Sequence, residues 1–393
     1  MSESSPDRSS QQVALRSPGL RDQGHPGGGG HLGTGGHLGT HRLEAAAPAG
    51  PRLFFGTPVA VFRAFGLAVL VPLFLATGMT LAYLGAFHQP TPHDLPVAVV
   101  GTSAETQVFA QTLQDKSDGQ LSVRTVASDS AARALVRDRT ITAAYEPTAT
   151  SASLLLSSAS SSTSAEVAQK IFLPIAYAEK LPFTVVQVVA PGEHDSSGQG
   201  LFFLLVGLSV GSYATAAAVA AFAAKLGIRW SIVTAVVMSG IVSGIAMAIA
   251  GPLFGVVSGH VWEIWTFGWL YSVAIILIGV GLHPVLRHWT TAALTMLFVM
   301  LNFTSSGGIF EPAVSPRFFA GLNTFWNGAA WLHATQTVQY FPGQAFGLDL
   351  MRLGLWAAAG LGLTLLTHLL SRRRARIANE RVATTEAESV IAA

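Results

Sequence analysis

The apolar residues of this chain gather into long uncharged runs, and short arginine clusters stand between them. The first run covers Ala64 to Phe87, longer than the roughly 20 residues that carry a helix across a bilayer core. Pro72 lies inside it, which membrane helices tolerate. After Gly200 the chain is again almost continuously apolar, and helices are expected at about 200–223, 231–257, 264–284, 289–305 and 351–371. The pattern predicts an α-helical polytopic membrane protein with six transmembrane helices, a small α/β domain between helices 1 and 2, and a re-entrant or amphipathic segment between helices 5 and 6.

The region between the first two runs, residues 88–198, reads as short polar-flanked elements. Leu95–Val100 has the character of a buried strand, Thr102-Ser-Ala-Glu105 fits a capping box, and Val108, Phe109 and Leu113 mark the apolar face of the helix that follows. Leu121–Val126 is a second strand, Ser128 caps a helix bearing Ala132, Leu135 and Val136, and Ile141–Tyr145 is a third strand. This β-α-β-α-β order argues for a small α/β domain. The Ser-rich stretch from Ser151 to Ser164 reads as a loop or a loosely packed connection, and Phe183–Ala190 as a last strand returning to the membrane.

Charge decides orientation. Arg42, Arg52 and Arg63 precede the first helix; Lys225 and Arg229 lie between the second and third; Arg287 lies between the fourth and fifth; Arg372, Arg373, Arg374 and Arg376 follow the sixth. Six crossings put all of these on one side, and the positive-inside rule makes that side cytoplasmic. The expected organisation is therefore a disordered cytoplasmic tail at 1–52, a first membrane helix within 53–87, an extracytoplasmic α/β domain at 88–198, a five-helix membrane domain at 199–371 and a cytoplasmic tail at 372–393. The localisation that follows is a bacterial-type plasma membrane.

Composition agrees: 11% of residues are charged, against about 25% in soluble domains. A net charge of +2 gives no reason to expect nucleic acid, and the absence of cysteine excludes disulfides, thiolate metal sites and Cys nucleophiles. The only Lys-Ser pair, Lys116-Ser117, follows Asp115 and lacks the glycine frame of a phosphate loop. No His-Glu-x-x-His or Gly-x-Ser-x-Gly motif appears, so nothing supports an enzyme, and no cofactor is expected in this chain.

Candidate chemistry is sparse. GGHLGT occurs twice between Gly29 and Thr40; His31, His37 and His41 form a weak metal tether or, more plainly, a slipped low-complexity repeat. His283, His288 and His368 read as a proton relay or as interfacial residues reaching water. His260 and Glu263, spaced i,i+3, fall short of a zinc ligand set. Trp262, Trp265, Trp269, Trp326 and Trp331 fit an aromatic belt, and Gly240 and Gly244 fit close helix packing or a moving interface.

The most informative segment is SSGGIFEPAVSPRFF, Ser305 to Phe319, followed by Leu322 to Gly343. Gly307-Gly308 breaks the fifth helix, Pro312 and Pro316 prevent its continuation, and two amphipathic pieces follow near 315–326 and 328–341. They suggest an element capping the outer mouth of the bundle, or an ordinary outer loop with interfacial helices.

Ser306, Gly307, Gly308, Pro312, Pro316, Phe318, Phe319 and Gly343 resemble the region after the fifth helix of type-2 ABC transporter permeases, in particular their YhgE/Pip (phage-infection-protein) branch. LPVAVVGTSAETQVFAQTLQ and the stretch from Ser128 to Pro147 resemble the same branch, and the order of elements matches from about residue 60 to 371. The resemblance implies an envelope exporter subunit. It would be paired as a homodimer or heterodimer, move an amphiphilic small molecule or lipid, and draw on ATP only through a separate nucleotide-binding subunit. On this reading Ser306, Gly307, Gly308, Glu311 and Pro312 shape an outer gate. Lys225, Arg229 and Trp230 form an ATPase-contact loop, or carry only topogenic charge. The rival reading is a non-transporting scaffold or envelope accessory protein that binds partners through its outer domain.

Overall fold

A computed structural model describes residues 53–54 and 57–391. The expected disordered tail at 1–52 and the histidines His31, His37 and His41 lie outside the described residues. The chain divides into two units, Met1–Pro58 and Val59–Ala393. In the first, Leu53–Phe54 pairs antiparallel with Thr57–Pro58. Everything below concerns the second unit.

The α/β domain is a five-stranded sheet. Its strands are β1 (Leu95–Val100), β2 (Leu121–Val126), β3 (Ala143–Pro147), β4 (Ala152–Leu156) and β5 (Phe183–Gln187), in the order β2-β1-β3-β4-β5. β1 pairs parallel with β2 and β3, β4 runs antiparallel to β3, and β5 is parallel to β4. Side chains alternate between faces. Leu95, Val97 and Tyr145 enter one core, with Phe172 and Ala168; Ala98, Val100 and Ala144 enter the other, with Ala132 and Val136. Three helices cover the faces: α2 (Ala104–Lys116), α3 (Asp129–Arg137) and α4 (Ser162–Ala178). Each is capped by a serine hydroxyl, Ser103 accepting from Thr106 N, Ser128 from Ala131 N and Ser161 from Ser164 N.

Two expectations change here. The cap of α2 is Ser103, one residue beyond Thr102. Ser151–Ser164 is no loop: Ala152–Leu156 is β4, an interior strand paired on both edges, and α4 begins at Ser162. The serines that made the stretch look unstructured are turn and capping residues at the ends of these elements.

Among the described residues, five helices are long and apolar enough to cross a membrane. They are built from α1 (Val59–Phe87), α5 (Gly200–Leu226), α6 (Ile228–Ala248, continued by a π turn over Ile249–Leu253), a run over Val261–Ser305, and α12 (Gly347–Ile391). The Val261–Ser305 run contains α7 (Val261–Leu286), α8 (Thr290–Thr295) and α9 (Asn302–Ser305), with a π turn over Met296–Leu301 between the last two. Straight, its 45 residues would span about 67 Å, twice the bilayer core. It is not straight. Arg287 has φ +51°, and a Cβ at Gly279 would lie against Leu294 while Tyr271 bonds to Asn302. Both pairs are centred on residues 286–287, so the run is an antiparallel hairpin that turns at Arg287. The π turn in α6 follows from Pro252, which supplies no N–H to the helical ladder.

α7 and α12 pack closely. A Cβ on Gly281 would fall 2.9 Å from Thr364 N, one on Gly360 2.9 Å from Ala274 O, and Thr364 Oγ1 donates to Leu277 O at 2.7 Å. Gly240 and Gly244 have a different use, facing the indoles of Trp265 and Trp269. Those indoles donate to Gly240 O and Val236 O. They are packing groups, as are the buried Trp326 and Trp331; Trp262 alone of the five suits an aromatic belt, at 78% exposure.

After α9 come α10 (Arg317–Asn323) and α11 (Asn327–Tyr340). The expected amphipathic 328–341 piece is instead largely enclosed: Gly328, Ala329, Ala330, Leu332, Ala334, Thr335 and Thr337 are buried along with Trp331. Its neighbours on several sides are α5, α7, α9 and α12. The stretch expected as a tail at 372–393 continues α12, which runs unbroken through Arg372–Arg376 to Ile391. Nothing in that stretch is a proline or glycine, so the apolar-to-charged transition changes the helix's surroundings and not its backbone.

Candidate functional site

A cavity of about 300 Å³ lies where the α/β domain meets the helical bundle. From the domain come Arg139, in the turn after α3, and Thr142; Ser157, Ser160 and Ser161, between β4 and α4; and Ser164, in the first turn of α4. From the bundle come Ser306, Gly307, Glu311 and Pro312 after α9, Asn323 of α10, His333 and Gln336 of α11, and Arg352 of α12. Residues far apart in sequence meet here because β1 and β3 start and β4 ends over the break that follows α9.

That break is built into the domain. Phe310 and Val314 are buried in the same core as Leu95 and Phe172, and Phe310 stands edge-on to Phe87 at 5.6 Å. Thr91 N and His93 N donate to Val314 O and Ala313 O, both at 2.9 Å. Gly307 has φ +83°, a conformation that costs glycine little. A Cβ on Gly308 would collide with the Phe202 ring of α5. Of the five residues expected to shape a gate, Ser306, Gly307, Glu311 and Pro312 line the cavity, whereas Gly308 packs on α5.

Polar bonds tie the two halves across the cavity. Ser160 Oγ donates to Glu311 Oε1 at 2.9 Å, and Gln336 Nε2 to Ser160 O at 3.3 Å. Arg139 Nε and Nη2 donate to Gln344 Oε1 at 3.0 and 2.7 Å, and Nη2 also to Thr337 Oγ1 at 2.5 Å. Its guanidinium lies 4.5 Å from the centre of the Phe341 ring. Burial lowers the pKa of Arg139, opposed by the more distant charges of Glu311 and Asp349. At the bundle side the buried carboxylate of Asp349 accepts from His333 Nδ1 at 2.5 Å and Arg352 Nη1 at 3.1 Å.

A second polar region lies inside the bundle. Asn302 Nδ2 donates to Tyr271 Oη at 2.7 Å and to Ser209 Oγ at 3.3 Å, Ser209 and Tyr271 hydroxyls are 2.5 Å apart, and Ser212 Oγ donates to Ser272 Oγ at 2.9 Å. These neutral groups join α5, α7 and α9, the arrangement by which polar side chains bind membrane helices together.

The other expected residues fall at the far end of the bundle. Lys225 ends α5, Gly227 turns the chain with φ +75°, and Arg229 and Trp230 begin α6. The expected ATPase-contact loop is therefore a one-residue turn between helix ends, with Trp230 66% exposed. Gly227, His283, His368 and Ser371 surround a cavity of about 360 Å³, which puts this turn, the Arg287 turn and the arginines after Ser371 at one end. His288 is not among the residues lining that cavity and stacks near Trp289. His260 and Glu263 meet at 3.4 Å on an exposed surface, and no group of three metal-ligating side chains occurs among the described residues.

Sequence reasoning missed Arg139, Ser164, His333, Asp349 and Arg352. The i,i+3 pair Asp349 and Arg352 at the start of an apolar helix was the available signal; the others stand alone in sequence. Comparison with family models, curated proteins and solved structures gives no match for this chain.

Proposed function

We propose that this chain is the membrane subunit of an envelope exporter for an amphiphile, of the type-2 ABC permease kind that its sequence resembles, with ATP hydrolysed by a separate subunit. The observation that carries the reading is the polar cavity between the α/β domain and the bundle, floored by the Ser306–Pro312 break. Backbone that leaves helical form beside apolar helices is tolerated where protein buries it or water reaches it, and here Ser306, Phe310, Val314 and Ser315 are buried.

Counting each leg of the Val261–Ser305 hairpin as one crossing gives six. Lys225, Arg229, Arg287 and Arg372–Arg376 then lie on the cytoplasmic side and the α/β domain outside. In this arrangement two copies rock between inward- and outward-facing states while α7 and α12 move as one closely packed pair. The exposed Trp230 beside Lys225 and Arg229 is the contact offered to the ATPase; positive charge alone would set topology without an exposed indole.

The test is to purify the protein gently from its host. Export predicts that an ATPase co-purifies and that amphiphiles change its rate. The scaffold reading is favoured by one observation, the pinning of the α/β domain to the bundle through Arg139, Gln344, Ser160 and Glu311. It predicts no associated ATPase and unchanged efflux when the gene is deleted.

A further inference from the structure

The guanidinium of Arg139 is held by neutral partners: the Gln344 amide, the Thr337 hydroxyl and the Phe341 ring. Its backbone takes φ +56°, an unfavourable conformation for a residue of this kind. Neither Glu311 nor Asp349 hydrogen-bonds to it; Glu311 accepts from Ser160, and Asp349 serves His333 and Arg352. A partly buried cation without a counter-ion is costly unless something pairs with it. Nη1 of Arg139 makes no hydrogen bond among the described residues, and Arg139 lines the cavity.

Three further groups face the same space. Ser164 is 1% exposed and lines the cavity, and its hydroxyl has no hydrogen-bond partner. Arg352 uses one terminal nitrogen on Asp349, and His333 uses Nδ1 on the same carboxylate. Glu311 is the one carboxylate on the wall, so the lining is not uniformly basic. Serine hydroxyls, Asn323 and Gln336 fill the intervals between charges. A volume of about 300 Å³ sits at the small end of ligand sites, fitting a headgroup and not a whole lipid.

We propose that this cavity binds a hydroxyl-bearing phosphate ester, a polyol phosphate, with the phosphate on Arg139 and Ser164 and the hydroxyls on Glu311, Asn323 and the neighbouring serines. The assignment deepens the export reading and rests on it for the amphiphilic source of the ester. Arginine suits a phosphate because its planar fork matches the oxygens, and a guanidinium already held by amide, hydroxyl and ring loses little freedom on binding.

The chain has no cysteine, so Ala313→Cys, at a half-buried lining position given no contact to the ester, places a single thiol in the full-length protein. In alkyl-maltoside micelles, the rate of its modification by methyl methanethiosulfonate is measured with dihexanoyl phosphatidylglycerol, glycerol 1-phosphate or uncharged dihexanoylglycerol. Both phosphate probes are expected to slow the reaction at least tenfold at saturation, and dihexanoylglycerol to leave it unchanged. Half-protection at lower concentration by the lipid identifies a headgroup; equal concentrations identify the free ester as source. Adding Arg139→Gln should raise the half-protecting concentration at least tenfold, while Arg376→Gln, at an exposed site, leaves it unchanged. No protection by either phosphate probe, equal protection by dihexanoylglycerol, or unaltered half-protection in a folded Arg139→Gln protein overturns the proposal. If Arg139→Gln does not fold, the three-probe comparison decides alone. Protection without an associated ATPase would remove export and keep the site; an associated ATPase without protection would do the reverse.

Discussion

Alanine at Gly281 should separate α7 from α12. Its Cβ would stand 2.9 Å from both Leu363 Cγ and Thr364 N, where ordinary contact begins at 3.4 Å. The helices must part by about half an ångström, because a backbone nitrogen cannot turn aside as a side-chain tip can. Overpacking of this kind costs about 1–3 kcal/mol, and the bond from Thr364 to Leu277 O, now 2.7 Å, weakens with it. Against this, alanine recovers up to about 1 kcal/mol of helix propensity. The net expectation for Gly281→Ala is a loss of about 1–2 kcal/mol. Gly362→Ala lies on the partner helix α12 with nothing within 4 Å and should be neutral or gain up to about 1 kcal/mol. Gly360→Ala would meet Ala274 O at 2.9 Å, and combined with Gly281→Ala should cost less than the sum, since the first substitution has already opened the seam. Equilibrium unfolding by SDS titration in mixed micelles measures all four proteins. Equal stability of Gly281→Ala and Gly362→Ala would refute the close approach, and with it the rigid pair assumed in the export cycle.

Asp349→Asn should destabilise the protein by about 1–2 kcal/mol in thermal unfolding and make α11 more open to protease. The full cost of breaking a buried pair is not expected, because His333 and Arg352 keep 50% and 28% of their side chains exposed. Gly328→Ala would place its Cβ within the Asn302 carboxamide and should unfold at lower temperature than Gly321→Ala, which meets nothing; equal melting would remove the Asn302 contact. Glu146 has its pKa raised, chiefly by burial and then by Asp129. Its neutral form therefore suits the fold, and this stability is full below the unfolded carboxylate value near 4.3 and lost as pH rises through the folded value. Glu146→Gln should accordingly raise Tm at pH 7, with the gain fading by about pH 4; a gain independent of pH would contradict the assignment.

Long-range apolar patterning and strand character were legible in sequence. Leu95–Val100 and Leu121–Val126 are strands over the whole expected length: the first is almost continuously apolar because it lies inside the sheet, whereas the second is an edge strand that keeps Leu121 and Val126 buried and exposes Ser122, Arg124 and Thr125. β4 was not legible: Leu154–Leu156 is only three leucines set among serines, and serine composition outweighed them. The burial of Trp331 and Trp326 was hidden for a related reason, since an indole looks the same in sequence whether it meets headgroups or helix. The cavity was half legible. The Gly307–Pro312 break announces itself through glycine and proline, but Arg139, Ser164 and His333 reach it only through tertiary folding. No local rule joins a turn after α3 to a helix some two hundred residues later.

Impermeant-maleimide labelling of single cysteines in intact and permeabilised cells tests the central arrangement most directly. Thr150→Cys sits on the exposed β3–β4 turn, Arg229→Cys at the start of α6 and His288→Cys at the tip of the hairpin. The account predicts labelling of Thr150→Cys in intact cells, and of Arg229→Cys and His288→Cys only after permeabilisation. Labelling of Arg229→Cys and His288→Cys from opposite sides, or protection of Thr150→Cys until permeabilisation, would contradict it.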